Sequence, residues 1–189
     1  MTAALRPADH TPDGADPDLA QDVGARLRAI PDFPEPGVVF KDFTPLLLDP
    51  PLRDRVVADV VRRRRGTVDV VIGVEARGFI LGAIIAHELG VGFVPVRKEG
   101  KLPAATHAVS YTLEYGSATI ELHTDAVRPG ERVLVVDDVL ATGGTAAATV
   151  DLVRQCGGEA VAVEVVLELG FLNGRSKLTG TPVHALLTD

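Results

Sequence analysis

The chain contains a single cysteine in 189 residues, which excludes an internal disulfide and any zinc site built from cysteines and suits a reducing compartment. That cysteine, Cys156, stands in an apolar helical context and is expected to fill core. No uninterrupted apolar run reaches membrane-spanning length, although 46% of the residues are hydrophobic and the mean hydropathy is +0.21. The opening residues, MTAALRPADHTPDGADPD, lack the apolar segment of a secretory signal, so a cytoplasmic protein without membrane contact is expected. Positive charge is also short: 19 Lys and Arg face 26 Asp and Glu, for a net charge of -7. No general attraction to nucleic acid follows from that balance, and any bound anion must be held locally. The one basic run, Arg62 to Arg65, closes a helical pattern before Gly66 and reads as a solvated helix end. The five histidines, His10, His87, His107, His123 and His184, have no metal-ligand spacing, since HELG lacks the second histidine of a zincin, and read as surface or core residues. There is no internal repeat.

The patterning suits one domain. Residues 1–17 carry Pro, Asp, Gly and Thr with little apolar content and read as a flexible extension, leaving 18–189 as a single folded unit. Leu19, Val23, Leu27 and Ile30 recur at helical spacing up to Pro31. In PDFPEPGVVFKDFTPLLLDP, residues 31–50, prolines forbid a continuous helix, and a stiff apolar loop that packs over something is expected. Pro51 to Arg65 reads as a helix with Leu52, Val56, Val57, Val60 and Val61 inward. Val68 to Val74 is a strand, RGFILGAIIAHELG a helix and VGFVPVRK a strand; Arg132 to Asp138 is a strand, GGTAAATVDLVRQCGG a helix and EAVAVEVVLEL a strand. Continuous apolar strands alternating with helices predict an α/β fold, a mostly parallel sheet covered on both faces. Between the two halves, the alternation across Tyr115-Gly116-Ser117 predicts an antiparallel hairpin.

VLVVDDVLATGG, Val133 to Gly144, sets two carboxylates side by side at the end of an apolar run, with a small-residue loop directly behind them. In an open α/β sheet, ligands bind beyond the carboxyl ends of the strands, where the turn into a helix leaves N–H groups free for an anion. Ala141-Thr142-Gly143-Gly144-Thr145 has no bulky side chain, can reach positive φ at either glycine and offers two hydroxyls, which suits a monophosphate. Neither this loop nor GVEARGFI has the lysine of a Walker A motif, so an ATPase reading fails. Adjacent buried carboxylates repel unless they meet hydroxyl donors or a cation. A ribose diol supplies two donors, a phosphate on the neighbouring carbon reaches the loop, and Mg²⁺ nearby offsets the charge. The plainer alternative is that Asp138 caps the loop while Asp137 is solvated at the sheet end.

VLVVDDVLATGGT is similar to the 5-phosphoribosyl-1-pyrophosphate (PRPP) motif of type I phosphoribosyltransferases. With FPEPGVVFKDFTPLL, GVEARGFILG and RKEGKLPAATHAVSYTLEYG, in family order, it resembles the adenine phosphoribosyltransferases from about Asp18 onward. The resemblance implies the type I phosphoribosyltransferase fold, with an N-terminal hood over a base site at about 31–50 and a flexible antiparallel lid at about 98–118. It implies that Asp137 and Asp138 hold the ribose hydroxyls and that Ala141, Thr142, Gly143, Gly144 and Thr145 cradle the 5′-phosphate. Mg²⁺ is implied at Asp137, indirectly through water and substrate.

Arg77, a surface residue by composition alone, is implied to meet pyrophosphate beside a non-proline cis peptide at Glu75–Ala76. Lys98 and Lys101, by themselves an exposed basic turn, are implied to approach pyrophosphate from the closed lid. Glu114, an ordinary strand carboxylate by composition, is implied in proton transfer with the base, and Tyr115 in orienting substrate. Val39 and Lys41 are implied to contact adenine through the main chain, Phe40 to cover its ring and Leu169 to line it. Val161 to Asn173 holds no Lys or Arg where enzymes for 6-oxopurines commonly place a Lys donor, which argues for adenine. Departures are Val139, often Leu in the family, and Lys41, often Arg; a side-chain role for that Arg would be lost. The implied reaction joins adenine to PRPP, giving AMP and pyrophosphate, in a homodimer. The alternatives are transfer to another base and a PRPP-binding regulator without turnover.

Overall fold

The computed structural model describes residues 6–7, 18–33, 35–112 and 117–189. Within the expected extension, β1 (Arg6–Pro7) runs antiparallel to the last strand of the chain. Helix α1 (Leu19–Arg26) buries Leu19, Ala20 and Val23. Its periodicity predicts a helix to Ile30, but the helix ends at Arg26 and β2 (Arg28–Pro31) follows. A tertiary partner overrides the local pattern: β2 pairs antiparallel with β3 (Val39–Asp42), Arg28 opposite Asp42 and Pro31 opposite Val39. The segment expected as an irregular loop is thus half of a hairpin followed by the short helix α2 (Thr44–Leu47). Asp42 joins them, accepting from Arg28 Nη2 at 2.5 Å, Thr44 N at 2.9 Å and Thr44 Oγ1 at 2.6 Å. The Thr44 hydroxyl foremost, then its N–H and Arg28, hold the Asp42 carboxyl down at about 2.

Helix α3 (Pro50–Arg64) starts at Asp49, whose side chain accepts from Leu52 N at 3.3 Å, with Pro50 in the first turn, where a missing N–H costs nothing. The buried face is the one the spacing predicts. β4 (Val70–Val74) is buried throughout and leads into α4 (Gly78–Leu89) and β5 (Gly92–Lys98). β6 (Thr106–Thr112) and β7 (Ser117–His123) form the predicted hairpin, Thr106 opposite His123 and Thr112 opposite Ser117. β8 (Arg132–Leu140) runs two residues past its predicted end at Asp138 and turns into α5 (Gly144–Gln155), β9 (Glu159–Glu168) and β10 (Val183–Thr188). Cys156, just past α5, is buried as expected. The sequence pattern did not single out β10.

Strand order is β1-β10-β9-β8-β4-β5-β7-β6. The five strands from β10 to β5 are parallel, and the edges are antiparallel. Helices α1, α3 and α4 cover one face around Val71, Leu134, Val136 and Val166. Helix α5 covers the other with Val133, Val135 and Val163, as does the inner side of β7 through Ile120 and Leu122. Both faces are apolar, as the continuous strands predict. No helix among the described residues is long and apolar enough to cross a membrane.

The basic run departs from its reading as a solvated end. Arg63 and Arg64 turn inward, to Glu164 of β9 at 3.0 and 2.6 Å, and Arg63 also pairs with Asp59. His184 Nδ1 lies 3.2 Å from the same carboxylate, whose side chain is 3% exposed. Burial pushes the Glu164 carboxyl upward, but the His184 contact and the two arginines outweigh it and hold it at about 2. A carboxylate alone in a strand of valines would be costly to bury, so this position needs the arginines of α3.

Candidate functional site

β4 leads through α4 to β5 on one side, and β8 through α5 to β9 on the other, so strand order reverses between the adjacent, parallel β4 and β8. That reversal opens a crevice at the carboxyl ends of the two strands. The residues after β4, Glu75 to Arg77, meet the acid pair of β8 there. Helix α4 starts flush against β8 because Gly78 has no side chain: a Cβ would lie 2.6 Å from Val136 O and 3.2 Å from Asp137 Oδ1.

The crevice is a cleft of about 360 Å³. It is lined by Arg77, Asp137, Asp138, Ala141 and Thr145, by Val39, Phe40 and Lys41 of the hairpin, and by Leu169 and Lys98. These predicted residues come together although they span the chain. Thr142 and Gly143 form the turn into α5, which starts at Gly144, and these three residues do not line the cleft; Gly143 stands at φ 75. Lys101 sits at the rim, its Nζ 2.5 Å from Glu75 Oε1. Glu114 and Tyr115 lie outside the described residues.

The acid pair is not left to repel. Arg77 Nε donates to Asp138 Oδ2, and the Arg77 guanidinium carbon stands 5.2 Å over the Phe40 ring. No side chain caps α5, so Asp138 acts here as the partner of Arg77 and not as a loop cap, and one cation links the acid pair to the hairpin wall. Asp137 Oδ1 accepts from Asp138 N at 2.9 Å. Burial first, and then the Asp138 charge beside it, push the Asp137 carboxyl well above the usual carboxylate range. Asp137 is thus poised for a ligand that brings hydroxyl donors or positive charge.

Two polar residues of the cleft were missed by sequence reasoning. Glu75 accepts from Lys98 N at 2.8 Å and Lys101 Nζ at 2.5 Å, and lies 3.5 Å from Arg97 Nε. Burial works upward on it, but Lys101, the Lys98 N–H and Arg97 bring its carboxyl to about 2. Its partners lie 22 to 26 residues away, beyond any local pattern. Tyr111 of β6 also lines the cleft; the alternation of β6 was a signal for its inward face, but not for what it meets. The Glu75–Ala76 peptide is cis, as the resemblance implies.

The turn into α5 leans on a distant segment. Gly143 N lies 2.8 Å, and Ala141 O 2.1 Å, from where a Cβ on Gly174 would stand. Gly174→Ala is therefore expected to push the 141–143 turn outward and to destabilise the fold by about 1–3 kcal/mol, the usual range for overpacking. Thermal unfolding checks this, and an unchanged melting temperature would show that the segment yields freely. Leu169 is fixed from the same side by its N–H on Leu140 O at 2.9 Å. Arg175, close beyond Asn173, is engaged by Glu168 at 3.1 Å and by Val183 O at 2.6 Å.

Residues 51–177 match the family described as phosphoribosyl transferase domain. An adenine phosphoribosyltransferase of Acidothermus cellulolyticus is 57% identical over 171 residues, covering 90% of this chain and 97% of that one. A crystal structure of the adenine phosphoribosyltransferase from Thermoanaerobacter pseudethanolicus superposes with a TM-score of 0.87 at 45% identity, over 90% of this chain and 99% of that one. The Saccharomyces cerevisiae adenine phosphoribosyltransferase, crystallised with an imino-altritol bisphosphate and adenine, superposes with a TM-score of 0.84 at 40% identity, over 89% of this chain and 98% of that one.

Proposed function

The chain belongs to the phosphoribosyl transferase family, and from that premise we propose that it is an adenine phosphoribosyltransferase, a pentosyltransferase that moves the 5-phosphoribosyl group of PRPP to N9 of adenine and releases AMP and pyrophosphate. The observation that carries this reading is the acid pair and its small-residue turn facing Arg77 across the β4–β8 crevice, under an aromatic wall.

Asp137 and Asp138 accept the ribose hydroxyls, which offsets the mutual repulsion of the two carboxylates. The N–H groups from Ala141 to Thr145, at the start of α5, take the 5′-phosphate together with the Thr142 hydroxyl. Arg77 leaves Asp138 for pyrophosphate as the diol arrives, so the guanidinium exchanges one anion for another. Lys98 and Lys101 approach the same pyrophosphate; Lys101 must leave Glu75 to do so. Glu114 moves a proton at the base, and Tyr115 orients the substrate. We take residues 18–189 as one domain, 31–50 as its hood and 98–118 as its lid, which excludes water from the activated sugar when closed.

Adenine lies between Phe40 and Leu169. One edge of β3 has no partner strand among the described residues, and residues two apart, such as Val39 and Lys41, present their main chain to the same side. That supports an edge-on reading of adenine by backbone groups, for which Lys41 serves as well as Arg. Among the described residues no group of three His, Cys, Asp or Glu side chains forms a cage. Mg²⁺ ordinarily takes one or two carboxylates and completes its shell with phosphate oxygens and water, so Asp137 beside a pyrophosphate pocket fits it. When bound, the ion neutralises charge on the departing pyrophosphate. We also carry over the homodimer from the resemblance, and a cytoplasmic location from the single buried cysteine.

The deciding experiment follows pyrophosphate release and nucleotide formation from PRPP and Mg²⁺ with adenine, hypoxanthine, guanine or no base. Turnover with adenine alone is expected. Turnover only with another base would leave the sugar site and overturn the base site, and PRPP binding without turnover on any base would point to a regulator.

A further inference from the structure

Strand β6 of the proposed lid meets the start of α5 through the Tyr111 side chain. Gly144 leaves the space for the Tyr111 ring: a Cβ there would stand 2.8 Å from Tyr111 Cδ2 and 3.4 Å from Cε2. The ring therefore lies against the first turn of α5. Its phenolic oxygen accepts from Thr145 Oγ1 at 2.9 Å, the one hydrogen bond of that hydroxyl among the described residues. A phenol that accepts still has its own proton to give, whereas Thr145, donating to the phenol, has spent its proton. The free donor of the pair is thus Tyr111, at the wall of the cleft.

We propose that Tyr111 is a phosphate-binding residue: its hydroxyl donates to the 5′-phosphate held at the start of α5, so that one phosphate ligand comes from the lid strand and not from the turn. The inference rests on the proposed function for the location of that phosphate. The phenol stands 2.9 Å from the Thr145 hydroxyl and both residues line the cleft, so a phosphate oxygen held by the Thr145 N–H on that side can take the phenol's proton. The contact has a consequence for the lid. Tyr111 stands opposite Ala118 of β7, and β7 places Ile120 opposite Lys98 of β5. Phosphate bound at Tyr111 therefore steadies the ribbon that carries Lys98, and the sugar phosphate and the pyrophosphate cations share one mechanical unit.

Tyr111→Phe keeps the ring on Gly144 and removes only the hydroxyl. Calorimetry with ribose 5-phosphate, and separately with pyrophosphate and Mg²⁺, tests the inference on the intact chain. Loss of one hydrogen bond to a charged group predicts ribose 5-phosphate binding weaker by about tenfold or more, with pyrophosphate binding changed by less than about twofold and the melting temperature lowered by no more than a few degrees for the lost Thr145 bond. Unchanged ribose 5-phosphate affinity overturns the proposal, as does an equal loss for both ligands, which would make the side chain a prop of the lid. Wild-type protein that takes no ribose 5-phosphate would overturn the phosphate site itself, and the inference with it.

Discussion

Asp138→Asn is expected to lower kcat/KM for PRPP by roughly 10- to 10²-fold, the loss of one charge-assisted hydrogen bond of about 1.5–3 kcal/mol. The side chain is buried and already accepts from Arg77, so its position is set before any ligand arrives. An amide keeps the shape but presents one oxygen where the carboxylate presents two, and it carries no charge to draw the diol protons. The fold should survive: Arg77 is 44% exposed, and water can replace its lost partner. Asparagine also removes the like charge beside Asp137, whose carboxyl should fall back toward its ordinary range. Steady-state kinetics with PRPP, read beside a thermal melt, separates the two effects. A variant with wild-type kcat/KM would remove Asp138 from ribose binding, and one that fails to fold would make its pairing with Arg77 structural.

Glu164→Gln is expected to act in the opposite manner, costing stability while sparing the chemistry of whatever remains folded. It leaves Arg63 and Arg64 buried against a neutral partner, and breaking such a cluster from one side costs about 3–5 kcal/mol. For a domain of this size that is on the order of 10 °C in melting temperature. Arg63 keeps Asp59, which places the loss toward the lower figure. The pH dependence has a fixed sign. The Glu164 carboxyl sits at about 2 in the folded chain, below its ordinary 4.5. Its contribution is therefore fully present above about pH 4.5 and is lost as pH falls toward 2. Denaturant unfolding of both proteins should show a gap at pH 7 that closes on acidification through this window. A gap that widens in acid, or no gap at neutral pH, would mean that the arginines find other partners. Asp42 and Glu75, each also held at about 2, give the wild-type protein an acid-side slope of the same sign, so the variant should keep part of it.

These two carboxylates differ in how far they could be seen in advance. Asp138 stands in a stretch whose meaning is local. An apolar strand, two acids and a turn of small residues dictate strand, acceptor and anion cradle within thirteen residues, because each depends on neighbours in the chain. Glu164 reads only as a charge inside a strand of valines, and its partners Arg63 and Arg64 lie about a hundred residues upstream. For the same reason the basic run was read as solvated. The hairpin of β2 and β3 also escaped local reading, since a helical spacing of apolar residues ending at Ile30 carries no notice of a strand at Val39 that pairs with it.

The amino-acid pattern alone determined the alternation of strands and helices, the apolar faces and the residue types of the phosphate turn, since these depend on periodicities of two and 3.6 and on backbone freedom within a few positions. Only the tertiary structure decided that β4 and β8 lie side by side with the order reversing between them. Arg77 thereby reaches Asp138 across 61 residues of chain, and Tyr111 reaches Thr145 across 34. Such contacts follow from sheet order and from the space that Gly78 and Gly144 leave open, and packing between distant segments settles both.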